Sequence, residues 1–251
     1  MNIKNDLRMA GINPKGTLFV HSALKKVRVD GEKVLDAFIE YMKDGLLILP
    51  THTWMEVGWL IEKHPENKVY DPLKSKSCVG MLTNLFLQRE GVVRSLHPTH
   101  SVAAIGRNAA EYIAGEELTR TPCSREGCYG KLYDKNAQIL FLGCDLSKNT
   151  FIHSVEEWNN IPGRLNQQPQ ELFVKVGESL IPCPQNRHVE YDVSSNYIKM
   201  EKPFIKKGIA RYVKIGKAHS VLCDAVKMAD FVSECLRENP KLFSDNQPFF
   251  M

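Results

Sequence analysis

His153 and Glu156 lie three residues apart in the run Asn149-Thr150-Phe151-Ile152-His153-Ser154-Val155-Glu156-Glu157-Trp158. On a helix that spacing sets both side chains on one face, where a carboxylate can orient and polarise an imidazole. The run follows an apolar segment, Ala137 to Gly143, and then Cys144-Asp145, so it reads as strand, turn and helix. A base at a strand-to-helix corner is well placed to take a proton from a bound nucleophile. The same spacing also occurs as a plain surface contact worth roughly 0.2–0.5 kcal/mol, so the surroundings decide between the two readings.

Other chemistry-bearing groups fall at the ends of expected strands: His21-Ser22, His52, and His97-Pro98-Thr99-His100-Ser101. In an open α/β sheet such strand ends converge on one crevice. His97 and His100, with Asp145 and His153, also read as ligands of a hydrolytic metal, which needs three such groups and an open position. HxxH across a proline carries little weight for that reading, and no HExxH is present. Ser22, after a strand, reads as an N-cap, a buried hydroxyl or a receiver for a phosphate or pantetheine group. A P-loop, GxGxxG and GxSxG are all missing, which removes kinase, dinucleotide dehydrogenase and α/β-hydrolase readings.

The elements that must position these groups follow from periodicity. Leu18-Phe19-Val20 is a strand; Asp30-Gly31 opens a helix with Val34, Leu35, Phe38, Ile39 and Met42 at 3.6-residue spacing; Leu46 to Leu49 is a fully apolar strand stopped by Pro50. Strand, helix and buried strand make a βαβ unit and an α/β fold. Thr51 to Ser77 is a long polar and aromatic loop, of a length that is more often functional than idle. A helix over Gly80 to Glu90, a strand over Val102 to Ile105, a short helix over Ala109 to Ala114 and a turn-rich loop over Thr121 to Gly130 follow. Phe173 to Val176 and His188 to Val193 alternate as strands do. Ala218 to Glu238 reads as one amphipathic helix. Without a repeat or linker, residues 1–251 are expected to form a single domain.

Composition sets outer bounds. With 43% hydrophobic and 25% charged residues, the chain is ordinary globular protein, and no apolar run reaches the ~20 residues that span a bilayer. The start, Met1 to Asp6, lacks a signal-peptide core, which points to the cytoplasm. Seven cysteines form an odd set without paired CxxC motifs, so they read as reduced thiols rather than a disulfide framework or zinc ribbon. A net charge of +4 gives no ground for a nucleic-acid or membrane partner, and small molecules are the expected partners. Lysines gathered between Lys199 and Lys217 form a solvated face or a site for a polyanionic small molecule.

Four blocks, in order, resemble the aminoglycoside 3-N-acetyltransferase (antibiotic N-acetyltransferase) family. They are Val20-His21-Ser22-Ala23-Leu24, Leu49-Pro50-Thr51, His97 to Gly106, and Leu142-Gly143-Cys144-Asp145 through Glu156. The resemblance implies a three-layer α/β/α domain around a central mixed sheet, unlike the histone-type acetyltransferase fold. It implies acetyl-CoA as co-substrate without a metal, an aminoglycoside or other amine as acceptor, and a monomer or homodimer. It places His153 as general base, Glu156 as its orienting partner and Thr150 beside them. His21, Ser22, Ala23, Leu24, Thr99 and Ser101 fall to the CoA side. Asp145, Glu157, Glu126 and His97 fall to the acceptor side, where carboxylates would attract a polycation, and the lysine stretch would suit the CoA phosphates. The reaction so implied is direct attack by an amine on the thioester, with Cys144 left out because it has no activating partner.

Overall fold

Leu18 and Val20 point to one side of the first strand, and Phe19 and His21 to the other, because side chains alternate across a strand. Each side meets its own apolar layer. Leu18 and Val20 pack with Leu47, Leu49, Val34, Leu35 and Phe38, whereas Phe19 packs with Ile48, Phe141, Phe151, Ile152 and Val232. A sheet buried on both faces therefore lies between two helical layers, as the resemblance implies. The computed structural model describes residues 2–189, 193–245 and 247–249.

In chain order the strands are β1 (Thr17–Ser22), β2 (Leu46–Pro50), β3 (Val69–Tyr70), β4 (Val93–Arg94), β5 (Val102–Gly106), β6 (Gln138–Leu142), β7 (Phe173–Val176), β8 (Ser179–Pro182), β9 (Ala210–Ile215) and β10 (Ala218–Asp224). Seven of them form one mixed sheet in the order β4-β5-β2-β1-β6-β10-β9, and β3-β7-β8 form a small separate sheet. The central trio β2, β1 and β6 is parallel, and its flanks are antiparallel. The helix Gly31–Tyr41 supplies the βα crossover between β1 and β2. It starts where expected because the Asp30 carboxylate accepts from the Glu32 and Lys33 amides at 3.1 and 3.3 Å.

The parallel trio delivers Ser22, Pro50 and Leu142 to one edge of the sheet. β5 runs the other way, and its pairing of Val102 with Pro50 brings its entry segment, His97 to Ser101, to the same edge. Two further bonds, Thr51 N–H to Ser101 O at 2.8 Å and Thr53 N–H to Thr99 O at 2.9 Å, extend this ladder and fix His52 between them. The long loop after β2 is tied down by Arg94, which donates to the carbonyls of Thr51 at 2.7 Å, Ser75 at 2.6 Å and Pro72 at 3.2 Å.

Three expectations need correction. Ala218 to Glu238 is a strand followed by the helix Ala225–Glu238, with Asp224 as the hinge residue whose carboxylate accepts from the Lys227 amide at 3.0 Å. Ser220 to Cys223 are buried without a break because β10 lies between β6 and β9, and a short run buried all round mimics a helical stripe. The turn-rich loop ends early, since the helix Cys128–Asp134 begins inside it. Gly130 sits on this helix where a Cβ would strike the Arg125 carbonyl, so glycine is required there. Of the strand expected over His188 to Val193, the described residues show a single bridge, His188 to Leu165, and Glu190, Tyr191 and Asp192 lie outside the described residues. Among the described residues no helix is long and apolar enough to cross a membrane.

Candidate active site

The strand ends open on a cavity of about 840 Å³. Its wall includes His21 and Ser22 at the end of β1 and Ala23 just after it, His52 after β2, Cys144 and Ser147 to Thr150 after β6, and His153 on the helix Thr150–Trp158. Trp54, Trp59, Arg187 and His188 add an aromatic and cationic side.

His153 and Glu156 come together as their spacing requires, but a third residue stands between them. Nδ1 of His153 is 3.4 Å from Glu156 Oε2, long for a hydrogen bond, and 2.6 Å from the Tyr197 hydroxyl, which itself bonds Glu156 Oε2. Arg164 Nε lies 3.0 Å from Glu156 Oε1. Burial would raise the Glu156 carboxyl, but its contacts with His153, Arg164 and Tyr197 outweigh that and hold it below the usual range, so it is an anion. An anion there takes the Tyr197 proton, the Tyr197 oxygen takes Nδ1–H, and the lone pair of His153 is left on Nε2; this tautomer is assigned from the network. Burial, then the nearby His188, push the imidazole down to about 4, so it is neutral and able to accept a proton at neutral pH.

Glu157, the next residue, serves another ring. Its Oε1 is 2.7 Å from His188 Nε2, and both its oxygens accept from the Cys123 amide, at 3.1 and 3.2 Å. The ring of His188 stacks on that of His153, 4.6 Å between centroids and 28° between planes. Arg164 and His188 reach the helix together because their segments pair: Leu165 bridges His188, Val189 N–H donates to Arg164 O at 3.1 Å, and Asn166 N–H donates to Arg187 O at 2.8 Å.

The remaining site expectations divide. Thr150, His21, Ser22 and Ala23 line the cavity. His21 is stacked on Phe141, centroids 5.1 Å apart and planes 4° apart, and burial pushes it down to about 3. Its Nε2 is buried without a protein hydrogen bond, which makes it the polar atom a bound ligand would satisfy. Leu24 is not among the lining residues; it opens the short helix Leu24–Val27 and packs in the core. Thr99 and Ser101 are buried in scaffold bonds, Thr99 with His100 at 3.1 Å and Ser101 with Thr51 at 3.0 Å. Asp145 is turned to the Ser147 amide as a cap, and Glu126 is exposed and bonded to Ser124 at 2.8 Å. Neither lines the cavity, nor does Glu157 behind His188. Lys148 lines it, whereas no lysine from Lys199 to Lys217 does; Lys199 instead holds Leu242 O at 2.6 Å.

His97 cannot serve as a metal ligand in this arrangement. Its Nδ1 accepts from the Thr99 and His100 amides at 3.2 and 2.9 Å, and its Nε2 is 3.1 Å from Thr121 O, so both nitrogens are committed to the backbone. Cys123, Glu157 and His188 are close enough to share a cation, with ligand atoms within 4.8 Å of one another. The bonds from His188 and the Cys123 amide already satisfy that carboxylate. Cys144, on the wall, has its thiol pushed up to about 12 by burial and by Asp145, which disqualifies it as a nucleophile at neutral pH.

Tyr197, Arg164 and His188 were not legible as site residues. Tyr197 is 44 residues beyond His153, on the 3-10 helix Ser194–Met200, and no fixed spacing connects them.

The aminoglycoside N(3)-acetyltransferase VII of Streptomyces paromomycinus is 25% identical over 191 residues, covering 70% of this chain and 66% of that protein. The chain thus spans slightly less than two thirds of that relative's length. The solved YokD protein of Bacillus subtilis superposes with a TM-score of 0.83 at 20% identity, covering 98% of this chain and 94% of that one. AAC-IIIb, solved as a binary complex with CoASH, gives 0.82 at 21% identity, covering 94% and 95%. The structural likenesses establish the fold: mixed α/β around a central mixed sheet. The family model for aminoglycoside 3-N-acetyltransferases matches residues 19–237, and the chain belongs to that family.

Proposed function

We propose that this protein transfers the acetyl group of acetyl-CoA directly to an amine, with His153 as general base. The observation that carries the reading is the array His153–Tyr197–Glu156–Arg164, which presents a neutral imidazole to a cavity at the sheet edge. As the amine nitrogen attacks the thioester carbon, it must shed a proton, and the free Nε2 of His153 receives it. The positive charge that develops on the ring is offset through Tyr197 by the Glu156 anion, which the surrounding protein holds in place. Support for CoA as donor comes from the family, from the CoASH-bound relative, and from His21 Nε2, which waits for a partner in the wall. Ser22, Ala23 and Lys148 are the residues in reach of the cofactor. Thr150, at the start of the same helix, is a donor for the oxyanion.

For the acceptor, the family name points to the 3-amino group of an aminoglycoside. One observation favours a second reading, another amino sugar or amine metabolite. The described wall carries Lys148, Arg164 and Arg187 and, among the described residues, no carboxylate to draw in a polycation. The deciding experiment is release of CoA thiol against a set of aminoglycosides and simple amino sugars. Turnover with aminoglycosides establishes the first reading, turnover with amino sugars alone establishes the second, and no thiol release with any amine refutes both.

A further inference from the structure

The cavity holds two imidazoles in contact, and each has its own buried carboxylate. His153 is served by Glu156 through Tyr197, and His188 by Glu157 directly at 2.7 Å. Both carboxylates come from successive positions of one helix, and both rings line the cavity. One base suffices to explain one such pair. The reaction, however, takes two protons from nitrogen: an amine enters as an ammonium, and the amide that leaves keeps only one of its three hydrogens.

We propose that His188, held by Glu157, is a second base that takes the first proton from the acceptor ammonium, and that His153 then carries the second from nitrogen to sulfur. This rests on the acyl-transfer reading above. The ammonium gives its proton to His188, which releases it to solvent. The freed lone pair forms the C–N bond while the carbonyl π pair moves to oxygen. His153 Nε2 accepts the next proton from that nitrogen. The oxygen pair re-forms C=O, the C–S pair leaves with sulfur, and sulfur receives the proton from His153. The products are an amide, a thiol and one proton.

Three features support this division. The Nε2–H of His188 is committed to Glu157, which leaves the lone pair on Nδ1 of a ring in the cavity wall. Glu157 cannot swing away, since both its oxygens are held by the Cys123 amide. Among the described residues the titratable groups around His188 are Glu157 and His153 from the helix, His100 at 5.4 Å between ring centroids, Cys123, and, acting on it by charge, His52 and His97. A proton on one of the stacked rings opposes a proton on the other, so transfer proceeds one proton at a time. His153, driven toward weak basicity by burial, suits the acidic proton of the tetrahedral adduct better than that of a resting ammonium.

The test compares wild type, His188→Gln, Glu157→Gln and His153→Gln by thiol release, using the best amine from the panel, as a function of pH. For His188→Gln, kcat/KM should fall by about 10²-fold at neutral pH. It should then climb with unit logarithmic slope, closing on wild type as the amine deprotonates by itself. Glu157→Gln should show the same slope with a smaller loss, and it serves as the readout if His188→Gln does not fold. His153→Gln should stay low at every pH. A His188→Gln profile parallel to wild type, whether reduced or not, overturns the inference while leaving the acyl-transfer reading standing. A wild type that releases no thiol with any amine overturns both.

Discussion

Removing the Tyr197 hydroxyl is the sharpest test of how His153 is held. The hydroxyl is 2.6 Å from Nδ1 and bonds Glu156 Oε2, whereas the direct Nδ1 to Oε2 distance is 3.4 Å. In Tyr197→Phe neither neighbour can make a good bond to the other without moving several tenths of an ångström. A hydrogen bond to a charged group is worth about 1.5–3 kcal/mol. If it orients the base and offsets the charge on the ring, kcat should fall roughly 10- to 100-fold, since about 1.4 kcal/mol is tenfold in rate. KM for acetyl-CoA should hardly change, because the hydroxyl faces Glu156 rather than the ligand. Glu156→Gln should lose a comparable amount, and the double variant little more than the worse single, since groups that act as a unit are not additive. The assay is steady-state thiol release with a matched thermal unfolding curve. A Tyr197→Phe enzyme within about twofold of wild type in kcat, or losses that multiply in the double variant, would refute the relay.

Further outcomes are expected. His153→Ala should lower kcat by at least ~10²-fold with modest change in acetyl-CoA affinity, and near-normal turnover would remove His153 from the chemistry. Burial places His21 at about 3, and His97 and His153 at about 4, below the ordinary histidine value, so between about 6.5 and 4 the unfolded chain binds more protons and stability falls as pH falls. Each such ring costs about 2 kcal/mol at pH 5; His21→Phe should recover its share in urea unfolding, and parallel pH curves for the two proteins would contradict this. Gly130→Ala should be severely destabilising or fail to fold, because its Cβ meets the Arg125 carbonyl; a normal Tm would disprove that contact. Asp224→Ala removes the cap of Ala225–Glu238 and should cost about 1 kcal/mol in thermal unfolding.

What could be read from the chain was what repeats locally. The βαβ start was legible because Leu46 to Leu49 are buried on both sides, and His153 with Glu156 because a helix fixes neighbours three apart. The edge of the sheet was also foreseeable, since parallel strands point their ends the same way. Ala218 to Asp224 misled because continuous burial erases the period that distinguishes strand from helix. Asp145 and Glu126 were chosen for charge, and charge does not say where a side chain turns: one caps a turn and the other bonds Ser124 at the surface. Tyr197, Arg164 and His188 arrive from segments whose positions are set by an isolated bridge, a few backbone bonds and the packing of Tyr197 against Phe243, 4.8 Å between ring centroids. No local pattern encodes such an encounter.

Glu156 and Glu157 are successive residues on one short helix, about 100° apart around its axis, and each grips a different partner. Both anchor points therefore turn on a single shaft. An inserted or deleted residue within Ser154-Val155 would rotate the two carboxylates by the same angle and detach both at once, so this turn can drift in composition but not in length. Beyond Trp158 the chain leaves the helix, and Arg164 then returns to grip Glu156 from outside it.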